Sequence, residues 1–327
     1  MMRVHACLAG LVLALFAGSL LVGPAGIGLR DSLSALIFGD SGPMTLVMRE
    51  IRLPRALLAM MIGASLGLAG AAMQGYLRNP LAEPGLIGVS GSAALGAVLA
   101  IQTGLAASFA LALPLAALAT AFCGMLVIVL LAGPRGTSLT LILAGIAVSA
   151  LAAALTSLVL NFSPNPFAAN EIVFWMMGSL ADRSMTHVWV ALPLTLLGWG
   201  ILAMLGRGLN ALTLGEDAAA AMGISLRRLR LQLILGTSLV VGAATAVAGS
   251  IGFVGLVVPH VLRPLVGARP AHLLLASALG GAAMVLAADI AVRLILPARD
   301  LKLGVVTALF GAPLFLHLIV KLRKERI

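Results

Sequence analysis

The chain has 327 residues, of which 61% are hydrophobic and 10% are charged, and its mean hydropathy is +1.14. Water-soluble domains carry about 25% charged residues, so this composition excludes an ordinary soluble protein. The net charge is +10, but the basic residues are spread along the chain and form no single patch for nucleic acid.

Apolar runs separated by polar or proline-containing breaks predict ten membrane-spanning helices, since each span needs about 20 mainly apolar residues. The predicted spans are residues 5–28, 54–76, 85–103, 107–132, 138–161, 187–206, 230–250, 254–268, 272–296 and 304–321. A further short helix at the membrane interface is predicted over 166–180. The fold class is therefore an all-α polytopic membrane protein, with residues 1–327 forming one transmembrane domain.

The first span begins after Arg3 and resembles a signal peptide, but it is long enough to cross the membrane and shows no clear cleavage site. We therefore predict an uncleaved first helix. With ten spans and both termini in the cytoplasm, 13 of the 21 basic residues lie on the inner side. This bias follows the positive-inside rule and supports the predicted orientation.

Small residues predict close helix packing, because glycines let helix backbones approach each other in lipid. Two glycine sets have helical spacing: Gly63, Gly67 and Gly70, and Gly249, Gly252 and Gly255. We expect these glycines to serve packing rather than ligand binding. Cys7 and Cys123 lie in apolar runs without metal-ligand spacing, so we expect buried thiols and no disulfide.

Several polar or glycine-rich stretches follow one another along the chain in a characteristic order. They are Arg52-Leu53-Pro54-Arg55, Arg78-Asn79-Pro80-Leu81-Ala82-Glu83-Pro84-Gly85, Leu141–Ala147, Trp175–Leu180, Gly215–Gly223, Gly252–His260 with Arg263, Ala288-Asp289 with Arg293, and Gly304–Pro313. In order and spacing, from about Ile51 to Leu318, they resemble the FecCD-type permease subunits of bacterial ABC importers for iron-siderophores, haem and cobalamin, the vitamin B12 importer permease among them.

The resemblance implies a type II ABC importer permease fold in the bacterial inner membrane. It also implies a homodimer, two cytoplasmic ATPase subunits that hold ATP and Mg, and a periplasmic binding protein that delivers the chelate; whether the dimer is homo- or heteromeric stays open. The sequence contains no G-x-x-x-x-G-K-[ST] phosphate loop. We therefore expect a chain that is not an enzyme and binds no cofactor itself.

The stretch Leu214 to Arg230 is the predicted contact with the ATPase. Glu216 and Asp217 suit the positive end of a short helix, and Gly223 suits its end. By resemblance, residues 214–226 hold a coupling helix that rests on the ATPase; an ordinary basic inner loop is the alternative. The predicted coupling residues are Gly215, Glu216, Asp217, Ala218, Ala221, Gly223, Arg227 and Arg228.

Arginines mark the predicted outer face. Arg52 and Arg55 lie three residues apart on one side of a helix start, and Arg293 lies at the outer end of the ninth span. By resemblance these arginines bind carboxylates of the binding protein, for which the guanidinium fork is suited. Lipid headgroups are the alternative partner. Whatever Arg293 binds, we expect an i,i+4 ion pair between Arg293 and Asp289, because an unpaired carboxylate in a span is costly.

An inner gate is predicted at Asn79 and Leu81 after the second span, and at Ser138 and Leu139 at the start of the fifth. Prolines after Asn79 forbid regular helix there, and irregular backbone at the membrane edge survives best where it lines a cavity. A plain loop is the alternative. The resemblance has two departures: Asp300-Leu301-Lys302 replaces Glu-Leu-Pro, and Ala268-Arg269-Pro270 replaces Asp-His-Arg.

Two functions compete. The first is the permease of an ATP-driven importer that moves an iron chelate (siderophore or haem) or cobalamin from periplasm to cytoplasm by alternating access. The second is a proton-driven secondary transporter with Asp289 or Glu83 as relay. An intramembrane enzyme is disfavoured, since the sequence lacks deep polar clusters and its five histidines are far apart. Which chelate is carried does not follow from the sequence.

Overall fold

The structure, a computed structural model, describes residues 1–23, 28–39, 42–133, 136–163, 166–295 and 301–324, and these contain helices and no β-strand. The helices are α1 (Met2–Leu21), α2 (Leu29–Phe38), α3 (Leu53–Leu77), α4 (Val89–Gln102), α5 (Ala112–Ala132), α6 (Ser138–Asn161), α7 (Pro166–Met176), α8 (Met185–Ala203), α9 (Gly206–Leu212), α10 (Glu216–Ala221), α11 (Leu226–Ala248), α12 (Val254–Leu262), α13 (Pro270–Ile295) and α14 (Leu303–Lys324). The all-α prediction is confirmed.

Each of the ten predicted spans contains a helix. Seven helical segments in the described residues are long and apolar enough to cross a membrane: α1, the 35-residue segment Pro43–Leu77 that contains α3, α5, α6, α8, α11 and α13. The remaining three, α4, α12 and the apolar part of α14, are shorter. The short helix predicted over 166–180 is α7.

Several helix bounds differ from the prediction. The first span was predicted to residue 28, but α1 ends at Leu21, and residues 24–27 lie outside the described residues. Pro24 disfavours helix at the residue before it. The eighth span was predicted to residue 268, but α12 ends at Leu262, and a 3-10 turn (Pro264–Val266) follows. The helical segments that were not predicted include α2, the π-helix Val47–Arg52 that leads into α3, and α9.

The proline- and glycine-containing segment before α4 is not α-helical. The third span was predicted from residue 85, but Pro84–Ile87 forms a 3-10 turn and α4 begins at Val89. Gly88 between them has φ +81°, which L side chains rarely adopt. A Cβ at Gly88 would lie 2.8 Å from the carbonyl oxygen of Gly145 in α6. The turn therefore needs glycine both for its conformation and for its contact with α6.

The centre of the bundle is α3, flanked by α11 and α13. Most of the α3 span is buried (83%), whereas only 11% of α1 is. Side chains at Gly63 and Gly67 would collide with the α13 backbone at Gly281 and Ser277, and one at Gly70 would collide with α12. The packing role predicted for these three glycines is confirmed. The second set does not share one helix face, because Gly249 caps α11 and Gly252 precedes α12.

Pro259 interrupts the hydrogen bonds of α12, and α3 repairs the break. Proline has no N–H to donate to the carbonyl four residues earlier, which belongs to Gly255. The Gln74 amide nitrogen of α3 donates to the carbonyl oxygens of Gly255 (3.3 Å) and Leu256 (3.1 Å). Arg263 Nη2 in turn donates to Gln74 Oε1 at 2.7 Å. A proline within an apolar layer is thus tolerated because a neighbouring side chain satisfies the freed carbonyl.

The expectation of buried cysteines is wrong. Cys7 in α1 and Cys123 in α5 are both exposed on the outer faces of their helices. An apolar run does not indicate burial in a membrane protein, because positions that face lipid are as apolar as positions that face other helices.

Candidate functional site

The predicted coupling segment forms a short helix with defined ends. Gly215 precedes it with φ +106°, Glu216 and Asp217 occupy its first turn, and α10 ends at Ala221. The acidic pair therefore lies where the helix carries partial positive charge, as the sequence predicted. A helix lies within the predicted range 214–226 but covers only Glu216–Ala221, and its role in coupling stays a prediction.

The end of α10 is fixed to the start of α11 by two sets of backbone bonds. The Gly223 N–H donates to the Ala220 carbonyl at 2.9 Å, and the Ile224 N–H donates to the Ala219 carbonyl at 3.0 Å. This is a Schellman motif, with Gly223 at φ +80° as its left-handed residue. Ser225 then caps α11 by accepting the Arg228 N–H at 3.3 Å. The segment has little slack between its two helices.

The outward surface of this segment combines apolar and charged groups. Leu214 and Met222 are 68% and 63% exposed at either end of α10, while Ala219 is fully buried beneath it. The exposed charged residues around them are Glu216, Asp217, Arg227 and Arg228. Four charges beside these side chains exclude the lipid interior as their environment. Exposed apolar groups with a polar rim are typical of protein–protein contacts.

The third basic residue of the segment points inward. Arg230, the fifth residue of α11, is 7% exposed, and its Nη2 donates to the Gly133 carbonyl at the end of α5 at 2.9 Å. Arg230 ends the stretch predicted to contact the ATPase but was not among the predicted coupling residues.

The predicted gate residues lie at the end of α3 and the start of α6. Arg78 ends α3 with φ +48°, and Asn79 Oδ1 accepts the Leu81 N–H at 2.9 Å, which fixes the turn before Pro84. Ser138 is the first residue of α6, whose N-terminus is capped by Thr137, and Leu139 is 63% exposed.

The arginines predicted to dock the binding protein are engaged inside the chain. Arg52 is 4% exposed, and its Nη1 donates to the carbonyls of Leu20 (3.0 Å) and Leu21 (3.1 Å). Arg293 Nη1 donates to the carbonyls of Ser19 (2.8 Å) and Val22 (2.7 Å). These are carbonyls of the last turn of α1, which have no partner within that helix.

The Asp289 carboxylate contacts both Arg55 and Arg293. Arg55 Nε donates to its Oδ1 at 2.8 Å, and Arg293 Nη2 lies 2.7 Å from its Oδ2. The predicted i,i+4 pair of Asp289 and Arg293 is confirmed. The hydrogen bonds from Arg52 and Arg293 to the end of α1 were not predicted. The sequence feature that could have indicated them is the absence of a basic residue in the last turn of α1, whose carbonyls therefore need donors from elsewhere.

Asp289 and Glu83, the two carboxylates of the proton-relay hypothesis, both have partners within the chain. Both Asp289 oxygens contact arginines. Glu83 Oε1 accepts the Phe253 N–H at 2.9 Å, at the start of α12. Both side chains therefore have structural partners.

The first departure from the family pattern falls between α13 and α14. Asp300 lies outside the described residues, but Lys302 is described, and its Nζ lies 5.4 Å from the centroid of the Phe174 ring in α7. This is a cation–π contact. The lysine at this position therefore has an aromatic partner within the chain.

A largely apolar groove of about 620 Å³ runs between α7, the loop after α11, and α14. Its lining includes Met176, Met177, Ser250, Phe253, Val305 and Leu309. The groove is held at its end by backbone bonds from Ser179 to Ala248 (2.8 Å) and from Gly304 to Gly178 (3.3 Å). Its walls offer shape and apolar surface but few polar groups.

Comparison with known proteins gives consistent matches over most of the chain. The model of the FecCD transport family matches residues 11–321. The Hemin transport system permease protein HmuU of Yersinia pestis is 39% identical over 288 residues, covering 85% of this chain and 84% of that protein. The Vitamin B12 import system permease protein BtuC of Salmonella typhi is 39% identical over 274 residues, covering 83% of each.

Two further matches agree with these. An uncharacterized ABC transporter permease protein of Bacillus subtilis, YvrB, is 39% identical over 289 residues, covering 86% of this chain and 81% of that protein. A solved structure described as an inward-facing conformation of a metal-chelate type ABC transporter has a TM-score of 0.85 and 36% identity, and the match covers 98% of this chain and 100% of that chain.

Proposed function

The chain belongs to the FecCD transport family, and from this premise we propose that it is the transmembrane permease subunit of an ATP-driven ABC importer. Its cargo is an iron chelate (siderophore or haem) or cobalamin, moved from periplasm to cytoplasm by alternating access. Relatives named for hemin and vitamin B12 transport, at 39% identity, support this cargo class. The observation that carries the proposal is the exposed, rigid α10 segment in a chain without a nucleotide-binding loop.

The α10 segment is the proposed contact for a separate ATPase subunit, which would hold ATP and Mg. Gly215 and Gly223 fix the ends of the helix, and Leu214 and Met222 supply apolar contacts. Its charged rim consists of Glu216, Asp217, Arg227 and Arg228, with Ala218 and Ala221 between the acidic and basic ends. A short helix capped at both ends transmits a displacement that a flexible loop would absorb.

The inner gate is proposed at Asn79, Leu81, Ser138 and Leu139. The exposed Leu139 and the fixed turn at Asn79 support this position. The gate would open and close by relative movement of the end of α3 and the start of α6.

Docking of a periplasmic binding protein at Arg52, Arg55 and Arg293 stays a prediction, and it requires these side chains to change or share their present contacts. All three guanidinium groups already have partners in α1 or α13. Carboxylates of a binding protein would therefore have to share or replace these contacts. Arg55, at 17% side-chain exposure, is the more accessible of the two arginines that bind Asp289.

The proposed assembly consists of two copies of this chain in the bacterial inner membrane, two cytoplasmic ATPase subunits and one periplasmic binding protein. Both termini of each copy lie in the cytoplasm. The contact between the two copies is placed at α14, where Leu309, Phe310 and Leu316 are each at least 63% exposed beside the apolar groove. Two such surfaces face to face would line a pathway with few polar groups, which suits large rigid chelates.

Transport in proteoliposomes tests this function. The chain is reconstituted with its ATPase and binding protein, and uptake of hemin, cobalamin and a ferric siderophore is measured with ATP on the ATPase side. We expect ATP-dependent uptake of one of these classes and none without the ATPase. Uptake driven by a proton gradient without the ATPase would contradict the proposal and favour a secondary transporter.

A further inference from the structure

A second apolar groove, of about 420 Å³, opens at the side of the bundle between α1, α12 and α13. We call it the α1 groove. All of its lining residues are apolar, and two of them, Leu11 and Val261, are 48% and 47% exposed, so the groove is open to the surroundings of the protein. Its lining includes Leu8 and Leu15 of α1, Val258 and Leu262 of α12, and Gly280 and Ala287 of α13.

The α1 groove extends over much of one lipid leaflet. Leu8 and Leu15 are seven residues apart, as are Gly280 and Ala287, which at 1.5 Å per residue gives about 10 Å along each helix. One leaflet contributes about 15 Å of the hydrocarbon core. The groove therefore has the length and the surface chemistry to hold part of an acyl chain.

One end of the α1 groove is fixed by contacts between the start of α1 and the segment that leads into α13. His5 Nε2 lies 3.3 Å from the carbonyl oxygen of His272. A Cβ built at Gly267 would lie 3.1 Å from Met1 Cε. The first turn of α1 therefore lies beside residues 267–272, and the lining of the groove begins at Leu8, one turn further along α1.

Two exposed arginines belong to these adjoining segments. Arg3 lies in the first turn of α1, and Arg269 immediately precedes α13. Both are exposed, and neither forms an ion pair with a described residue. Arg263 differs, because its Nη2 donates to Gln74 Oε1 inside the bundle. Residues 1–30 and 251–288, which include the whole lining, contain no Asp or Glu. The groove thus has a cationic end without a counter-charge from the segments that form it.

We propose that the α1 groove binds an anionic phospholipid, with one acyl chain along the groove and the phosphate at Arg3 and Arg269. Basic residues beside a cleft between membrane helices suit anionic headgroups, and a guanidinium group donates two N–H groups to phosphate oxygens. In the predicted orientation this end lies in the cytoplasmic leaflet. A second copy of the chain suits the groove less well, because two equal cationic ends would meet.

Native mass spectrometry of the purified full-length chain in detergent tests the site. The chain is titrated with dioleoyl-phosphatidylglycerol and, separately, with dioleoyl-phosphatidylcholine, and the Kd of the first bound lipid is measured. We expect phosphatidylglycerol to bind about 25-fold more tightly, from about 5-fold for each arginine. Arg3→Ala and Arg269→Ala should each weaken its binding about 5-fold and leave phosphatidylcholine binding unchanged. Equal affinities of the parent chain for the two lipids would overturn the proposal.

Arg228→Ala is the matched control for charge. Arg228 is also exposed, but it lies at the start of α11, a helix that does not line the groove. We expect its phosphatidylglycerol affinity to equal that of the parent. An equal loss in Arg228→Ala and Arg3→Ala would show that net charge alone attracts the lipid, and would overturn a site at this groove.

Ala287→Phe tests the apolar part of the site without altering its charge. Ala287 is an exposed lining residue of α13, so a phenyl ring there fills the groove from its open side. We expect it to weaken phosphatidylglycerol binding, while Ala119→Phe, on the exposed face of α5, should not. Thermal unfolding without added lipid confirms that each variant is folded. Unchanged lipid binding in Ala287→Phe would exclude the groove as the acyl-chain site.

The competing occupant, a second copy, is tested by disulfide formation. Leu11→Cys is introduced into a chain whose Cys7 and Cys123 are replaced by Ser, because both native thiols are exposed. We expect no disulfide-linked dimer on oxidation in native membranes, since a lipid covers the groove. A dimer linked through Leu11→Cys would place a second copy there and overturn the proposal. None of these measurements depends on which cargo the chain transports.

Discussion

The Gln74 side-chain amide donates to the Gly255 carbonyl at 3.3 Å, at the point where Pro259 leaves that carbonyl without a helical donor. Its Oε1 accepts a hydrogen bond from Arg263 at 2.7 Å. A single glutamine of the central helix therefore bonds both the carbonyl freed by Pro259 and the Arg263 guanidinium that follows α12.

Replacing Gln74 by Leu should destabilise the protein by about 1–3 kcal/mol, the cost of leaving buried polar groups without partners. Thermal unfolding in detergent measures this. Met73→Leu is the control, since Met73 is 1% exposed and a similar apolar volume is retained. Equal stability of Gln74→Leu and the parent would contradict the role of this side chain.

Asp289→Asn should have a larger effect, about 3–5 kcal/mol, because it leaves two arginines without their shared counter-charge. Arg293 is mostly buried, whereas Arg55 is partly exposed and its share of the loss is smaller. Urea or thermal unfolding gives the size of the effect. Asp217→Asn, on the exposed surface of α10, should cost little by the same measurement, and a small loss for Asp289→Asn would refute the network's role in stability.

Gly67→Ala should weaken the contact of α3 with α13 by about 1–3 kcal/mol, since the added methyl meets the Ser277 backbone and the helices must separate. The matched substitution is Gly200→Ala in α8, where an added Cβ meets nothing within 4 Å. There the helix propensity of Ala should make the change neutral or stabilising. The two melting temperatures must therefore move in different directions or by clearly different amounts.

Gly223→Pro should reduce substrate-stimulated ATP hydrolysis by the assembled transporter about 10-fold. This corresponds to weakening the contact between α10 and the ATPase by about 1.4 kcal/mol. Proline cannot adopt the φ of +80° at this position. The spans should stay folded, as judged by thermal unfolding. Charge reversal at Arg227 and Arg228 should act in the same way, while Thr213→Ser, outside α10, should not. Full stimulation in Gly223→Pro would remove α10 from the coupling mechanism.

The predicted orientation places α10 in the cytoplasm. A cysteine at the exposed position Met222, in a chain whose Cys7 and Cys123 are replaced by Ser, should resist impermeant maleimide in intact cells and react after lysis. Those two native thiols must be removed because they are exposed. Labelling of Met222→Cys from outside intact cells would reverse the topology and exclude a cytoplasmic ATPase as the partner of this segment.

Local features could be predicted from the sequence. The Asp289–Arg293 pair needed only helical spacing, and the ends of α10 needed only an acidic first turn and Gly223. The apolar runs placed a helix in every predicted span. Each of these depends on residues within one turn of each other or on the simple length needed to cross a bilayer.

Contacts between distant residues were decided only by the tertiary structure. The mean hydropathies of α1 and α3 are similar, because lipid and protein interiors favour the same side chains. In the structure, however, α1 is mostly exposed and α3 is the buried centre of the bundle. The partners of Arg52, Gln74 and Arg230 are carbonyls and side chains on other helices, left unpaired by a helix end or a proline. In an apolar medium such groups must find one another, and only the packing of the helices determines which ones meet.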